Sequence, residues 1–488
     1  MSKKLLLSGF SSLLCLCALG QVNGTSKNGA VRDVETHLMT PIQFADSTYQ
    51  FFTLQERMKM YGVPSISIAV IDKGKIAWSK AYGMADVASN RAATTSTRYQ
   101  AASMSKSVNA TAAMRLVRAG KLDLDKDIRQ YLKTWTIPEN EFSKGKTITL
   151  RQLLGHTAGM SVGGFEGYAL GDTLPSLNQI LNGLRPANSD SIKPIALAGK
   201  KFSYSGGGTV LSRKIMEDRT GITYQYILNN EVLKPLSMLN STYDLHPEKV
   251  GKDWATAYTG QMQEVPGKYK VYPELAPDAL WTTPTDMAKF VLAIQASLKG
   301  QKPDFLSKSE VMQLLTPVLD SAQNAPGFFI LKKGTAAYFQ HAGSNVGFKS
   351  NFYGSFEGGR GVVVMMNCDE YDIIPEIINS VAYTYHWKDF YKPEIRKLSE
   401  VPVSMLTQYQ GNYKMQQPAV MNFQVRLNQS NLELSSDGKT FERMYFTDQA
   451  AFFLLSSKQL TFRFEKNQSG KFELIIKQGS DEFKAKLL

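Results

Sequence analysis

The stretch AASMSKSVNA, residues 101–110, sets Ser103 and Lys106 three residues apart at the start of a run that favours helix. On a helix, that spacing puts both side chains on one face within reach of each other. A serine at a helix start also has unpaired backbone N–H groups and the positive end of the helix dipole beside it, which stabilise an anion formed there. Burial among Ala and Met neighbours would disfavour the Lys106 ammonium and leave an amine able to take the serine proton. Nucleophilic acyl transfer is the chemistry such a pair performs. A capping serine beside a solvated lysine fits the stretch equally well.

Spacing alone is a weak signal, because Ser-x-x-Lys recurs at Ser143–Lys146 and at Ser436–Lys439. Those two lie in the turn-like FSKGKT and SSDGKT, whereas SVNATAAMRLVRAG carries the first into a helix ended by Gly120. Two further stretches add chemistry. FSYSGGGTVLSRKI places Tyr204 before three glycines and another helix start, where a phenol can be held at a junction. HAGSNVGF ends a strand at His341, and the small Ala342 and Gly343 leave room for a substrate to lie along the strand edge and take main-chain hydrogen bonds.

In order and spacing, Ser103-x-x-Lys106, Tyr204-Ser205-Gly206 and His341-Ala342-Gly343 resemble the three motifs of the serine β-lactamases and penicillin-recognising D,D-peptidases. Within that family the chain is most similar to the class C β-lactamase, esterase and D-aminopeptidase branch, whose recurring segments LLGHTAG (153–159) and LWTTPTDMAKF (280–290) also resemble. The resemblance covers roughly residues 40–390. It implies that Ser103 attacks a carbonyl, that Lys106 helps deprotonate it, and that Tyr204 shuttles the proton to the leaving group and then activates water. It further implies that His341 orients Tyr204 or binds a substrate carboxylate, and that the backbone N–H groups of Ser103 and Ser344 form the oxyanion hole. Two departures stand out. Gly206 occupies the place where the family commonly has an Asn that holds an acylamido side chain, and His341 replaces a permanently charged Lys with a residue weakly charged at neutral pH. Both fit an ester or small amide better than a β-lactam.

The elements that must carry these residues read as α+β. SISIAVIDKGKIAWSKAYG is a hairpin about Asp72-Lys73-Gly74, preceded by ADSTYQFFTLQERMKMYGVP as a helix ended by Gly62 and Pro64. A helical middle follows, with Thr149 and Thr283-Pro284-Thr285-Asp286 as helix starts. Strands return in AAYFQHAG, VGFKSNFYGS and GRGVVVMMN before the helix IIPEIINSVAYTYHW. The economical solution is one antiparallel sheet drawn from both ends, flanked by helices, with a helical subdomain beside it. From residue 400 to 488 the period becomes two: Phe423, Val425 and Leu427, then Leu460, Phe462 and Phe464, then Phe472 and Leu474 alternate with polar neighbours. Turns at NQSN, SSDGK and KNQSGK make this a small antiparallel β-barrel, which more loosely resembles the lipocalin-like domains appended to some family members, its aromatic stripe serving as core.

Composition bounds the partners. Apolar residues make up 43% and charged residues 20%, an ordinary folded composition. The net charge of +13 is diffuse, without a Lys/Arg run or zinc-finger spacing, so nucleic acid is not expected, and a cell-envelope surface is the anionic partner such a charge fits. Lys3 and Lys4, LLLSGFSSLLCLCALG and the small residues before Gln21 read as a signal peptide over residues 1–20, hence an exported protein, periplasmic or secreted. Leu14 and Leu16 before Cys15 and Cys17 speak against a lipid anchor, and no run reaches the length of a stable membrane span. Cys368 is then the one cysteine left, a buried thiol. His156 reads as structural, while His37, His246 and His386 are isolated, so neither a metal nor a cofactor is expected. The reading is a serine hydrolase of small esters, amides or β-lactams. A binding protein that keeps the fold is its alternative, and has no need of Ser103, Lys106 and Tyr204 together.

Overall fold

The computed structural model describes residues 27–488 apart from residues 46, 320–322, 439 and 457–458. The leader expected over residues 1–20 and Lys439 of the third Ser-x-x-Lys lie outside the described residues.

Ser65–Asp72 and Lys75–Asp86 form the expected hairpin. Lys73 and Gly74 at its tip both take positive φ, 51 and 73, the turn geometry whose twist matches that of its strands. This hairpin supplies two strands of an eight-stranded antiparallel sheet. From edge to edge the strands are Arg91–Ala92, Lys75–Asp86, Ser65–Asp72, Gly361–Met366, Phe348–Ser355, Ala336–Asn345, Phe328–Lys333 and Asn324–Ala325. The two ends of the region meet where Val363 pairs with Ala69. Both faces of these central strands are covered, so Gly361–Met366 is apolar throughout. Val362, Val364 and Met366 pack toward the helix Ile373–Thr384, while Val363 and Met365 face the larger core shared with the helix Pro284–Leu298.

The expected helix before the hairpin is shorter than its apolar pattern suggested. It spans Leu54–Met60, because Thr53 caps it by accepting from Glu56 N at 3.1 Å while the Glu56 side chain accepts from Thr53 N. Phe52 instead pairs its backbone with Leu38. Between the two groups of strands in the chain come the helices, including Ser105–Arg118 and Gly206–Thr220, which pack on each other.

The C-terminal region is a nine-stranded antiparallel sheet spanning Gly411 to Leu487. Its two edge strands, Glu442–Arg443 and Tyr445–Phe446, are consecutive in the chain with Met444 between them, which brings the edges together into a nearly closed barrel. Phe423, Val425, Phe462, Phe464 and Leu474 fill its interior. A parallel ribbon of Ile42–Phe44 with Glu394–Arg396 joins it to the rest, with Ile42 packed on Phe453 and Leu455.

The helix Pro284–Leu298 braces the sheet, and its start follows the expected pattern: Thr283 Oγ1 accepts from Asp286 N at 3.1 Å with Pro284 at the first helical position. Thr283→Ala removes that acceptor. The expected loss is about 1 kcal/mol, read as a lower urea midpoint for the hydrolase-fold transition at unchanged slope.

Candidate active site

Ser103 sits in a 3-10 turn, Ala102–Met104, that runs directly into the helix Ser105–Arg118. Ala102 just before it has φ 49, a left-handed conformation that costs a Cβ-bearing residue roughly 1–2 kcal/mol. The surroundings impose it. Ala101 N donates to the Leu280 carbonyl at 2.7 Å, Ser350 Oγ donates to the Ala101 carbonyl at 2.9 Å, and Leu280 N donates to Ser105 Oγ at 3.2 Å. Just upstream, Tyr99 and Gln100 pair with Thr282 and Trp281.

Lys106 is buried, with 3% of its side chain exposed. Its three ammonium protons meet three acceptors: Ser103 Oγ at 2.9 Å, the Pro277 carbonyl at 3.0 Å and Asp278 Oδ1 at 3.3 Å. Ser103 Oγ donates in turn to Asp278 Oδ1 at 3.2 Å. Burial works against the charge on Lys106, but attraction to Asp278 and to Tyr204 outweighs it, and the lysine is held above its ordinary pKa. The expectation of an amine freed by burial therefore has the wrong sign. It failed because Asp278, 172 residues downstream of Lys106, belongs to none of the motifs.

Tyr204 lays its ring 5.2 Å from Lys106 Nζ. His156, read from sequence as structural, supports it. Its ring lies 4.3 Å from that of Tyr204, and its Nδ1 accepts from the backbone N–H of Ser205 at 3.2 Å. Burial, then the charge of Lys106, hold His156 well below the usual histidine range, so it packs as a neutral ring.

His341 is neutral for the same reasons. Burial and Lys106 hold it down at about 3. Its Nδ1 faces the Ala342 carbonyl at 2.7 Å and so carries the proton, which leaves Nε2 as a buried acceptor without a partner. Burial thus takes away the weak positive charge on which the carboxylate-binding role, one of the two considered for His341, would draw.

Gly343 also acts differently from the sequence reading. A Cβ there would lie 2.2 Å from the Ala101 carbonyl oxygen and 2.3 Å from Ser350 Oγ, so the glycine lets its strand close onto the segment that carries Ser103. Residues 341–345 pair with Phe348–Phe352 on one side, whereas the neighbouring strand stops pairing at Gln340, leaving their other edge open. Ser344 is exposed on that edge and its Oγ accepts from Lys349 Nζ at 2.6 Å.

An open cavity of about 680 Å³ brings together Ser103, Lys106, Tyr204, His341, Gly343 and Ser344. Phe165 and Phe329 give it an apolar wall that the sequence did not signal. Gly206 explains part of this: a Cβ at that position would meet the Phe165 ring at 2.9 Å, so an aromatic ring stands where a side chain would project. Gly206 N and Gly207 N donate to the Gly163 and Val162 carbonyls at 3.0 and 2.9 Å, seating the glycine-rich loop on the helix Gly206–Thr220. Among the described residues no group of three or more His, Cys, Asp or Glu side chains is placed to hold a metal ion. Burial pushes the Cys368 thiol up to about 11.

Two outcomes follow from this geometry. Gly343→Ala forces the strand off Ala101 and is expected to slow labelling of Ser103 by a fluorophosphonate by at least about tenfold, consistent with the sensitivity of reactivity to sub-ångström placement. His341 binds a proton at about 3 in the folded chain against an ordinary 6.5, so its contribution to stability is complete above pH 6.5 and is lost as pH falls toward 3. The slope approaches about 1.4 kcal/mol per pH unit in that window. Urea midpoints of the wild type are expected to fall faster between pH 6.5 and 4 than those of His341→Asn.

Comparison with known proteins bears on the family and the fold. The Beta-lactamase family model matches residues 53–373. Protein flp of Staphylococcus aureus (strain MRSA252) is 29% identical over 212 residues, 43% of this chain and 40% of that protein. A teichoic acid D-alanine hydrolase of Staphylococcus aureus is 26% identical over 232 residues, 47% of this chain and 54% of that protein. The chain thus spans 40% to 54% of the length of these two relatives. Among solved structures, the octameric penicillin-binding protein homologue from Pyrococcus abyssi has a TM-score of 0.62 over 88% of this chain and 98% of its own, at 20% identity. D-amino acid amidase from Ochrobactrum anthropi SV3 has a TM-score of 0.55 over 67% and 94%, at 20% identity. These two likenesses speak to the fold. The matched span contains Ser103, Lys106, Tyr204 and His341, and the chain belongs to the Beta-lactamase family.

Proposed function

We propose that the protein is a serine hydrolase that cleaves a small ester or amide through an acyl-enzyme on Ser103, and that its preferred substrates carry no carboxylate beside the scissile carbonyl. One observation carries the reaction class: Ser103, Lys106 and Tyr204 converge in a cavity bordered by the open edge of residues 341–345. In this reading Ser103 Oγ gives up its proton to the Lys106–Asp278 pair beside it and bonds to the carbonyl carbon as the carbonyl electron pair moves onto its oxygen. The N–H groups of Ser103 and Ser344 receive that oxyanion. Tyr204 gives a proton to the departing oxygen or nitrogen and later takes one from the water that releases the acyl group.

Charge supports the substrate class. Among the described residues lining the cavity, Lys106 is committed to Asp278, Lys349 lies 3.6 Å from Asp369 and donates to Ser344, and His341 is neutral. A carboxylate entering this cavity finds no free cation to offset its desolvation. The relatives named for D-alanine hydrolysis and for a D-amino acid amidase support an aminoacyl ester or amide. The leader-like residues 1–20 support a protein that meets such substrates after export.

The test is intact-mass analysis and turnover with a p-nitrophenyl ester, D-alanine p-nitroanilide and benzylpenicillin, with Ser103→Ala as control. The ester and the anilide are expected to turn over, with loss of roughly 10⁴-fold or more in Ser103→Ala, and benzylpenicillin to acylate Ser103 slowly if at all. Turnover of benzylpenicillin above the other two would overturn the substrate class. Absence of any Ser103-dependent adduct or product would overturn the hydrolase reading.

A further inference from the structure

Asp278 stands outside every motif, yet among the described residues it is the carboxylate that touches the reacting serine. Its place is fixed from several sides. Its backbone carbonyl accepts from Asn345 Nδ2 at 3.1 Å, and the same amide donates to Gln100 Oε1 at 2.7 Å, tying Asp278 to the end of the His341 strand and to the residues before Ser103. It is 5% exposed.

Counting protons assigns the roles. The Lys106 ammonium donates in three directions, to Ser103 Oγ, the Pro277 carbonyl and Asp278, and so has no lone pair with which to receive a proton. The Ser103 hydroxyl has one proton, and it points to Asp278 Oδ1. We propose that Asp278, not Lys106, accepts the proton of Ser103 during acylation, while Lys106, an ammonium in the resting site, links Asp278 to Tyr204; the inference rests on the hydrolase reading above.

The step balances. The Ser103 O–H bond breaks as its proton passes to Asp278 Oδ1, the Oγ–carbon bond forms, and the carbonyl electron pair moves to the oxyanion. Tyr204 then protonates the leaving group as its bond to carbon breaks. Lys106 returns a proton to the Tyr204 oxygen and is refilled from the Asp278 carboxyl, restoring both. Deacylation runs the relay backwards, with water as the proton source and Ser103 Oγ as the final acceptor.

The charged and titratable groups around Asp278 are compatible with this. Lys106 faces it from the serine helix, Tyr272 and Glu274 from its own segment, and Tyr204 and His341 lie beyond Lys106. Burial, aided by the charge of Asp278, lifts the Glu274 carboxyl to about 8, and it therefore stays protonated at neutral pH and adds little negative charge beside Asp278.

The experiment measures the acylation rate of Ser103 by a p-nitrophenyl ester, as the burst of p-nitrophenol and the mass of the acyl-enzyme, from pH 5 to 10. Wild type is expected to acylate without a tenfold loss per pH unit between pH 9 and 6, because its base is a carboxylate. Asp278→Asn is expected to be slower by about 10²–10⁴-fold at pH 7 and to recover rate as pH rises and the Lys106 amine takes over. The inference is overturned by wild-type speed in Asp278→Asn at pH 7, by a variant that is uniformly slower with the wild-type pH profile, or by an amine-like fall in the wild type itself. If Asp278→Asn does not fold, the wild-type profile alone decides. Absence of an adduct in the wild type overturns the hydrolase reading and this inference together, whereas an adduct with an unaffected Asp278→Asn overturns this inference alone.

Discussion

A buried ammonium is tolerated only where each of its protons meets an acceptor, and Lys106 meets Ser103, the Pro277 carbonyl and Asp278. Those acceptors come from two widely separated parts of the chain, so the fold must bring residues 99–106 and 277–282 together within hydrogen-bonding tolerance, and a third segment, 341–345, packs beside both. The pairing of Tyr99 and Gln100 with Thr282 and Trp281 joins the first two. Asn345 ties the third to both. Gly343 removes the Cβ that would hold the strand away from Ala101. The left-handed Ala102 is the local strain that this convergence sustains.

The same ammonium sets the electrostatics nearby. His156 and His341 both feel its charge in addition to burial, and both stay neutral. They act through shape and lone pairs: His156 as a shelf under Tyr204, His341 as a strand residue whose Nδ1–H is spent on its neighbour's carbonyl. The two lysines that line the cavity, Lys106 and Lys349, thus each lie beside a carboxylate, Asp278 and Asp369.

The scaffold was legible in the sequence because its signals are local. The alternation around Asp72-Lys73-Gly74, the capping residues Thr149 and Thr283, and the period of two after residue 400 each depend on neighbours a few positions away. The helix expected over ADSTYQFFTLQERMKMYGVP is longer than the observed Leu54–Met60 for the complementary reason, since its apolar residues do not reveal that Thr53 starts a new turn. Ser103, Lys106, Tyr204 and His341 stood out through spacing and resemblance. Asp278 did not, although it lies two residues before LWTTPTDMAKF, because a lone acid in a loop carries no periodic or motif signature. Its effect on Lys106 arises only once the chain is folded, and so the protonation state read from the serine helix alone came out reversed.

The ring of Phe165 standing over Gly206 has a consequence for selectivity. Where a carboxamide would grip a substrate's acyl arm through directional bonds, Phe165 and Phe329 offer a smooth apolar surface. Such surfaces sort ligands by size, at roughly 10–200-fold per methylene, and discriminate poorly between groups of similar bulk. A wall of this kind distinguishes what enters the cavity by bulk rather than by a pattern of polar groups.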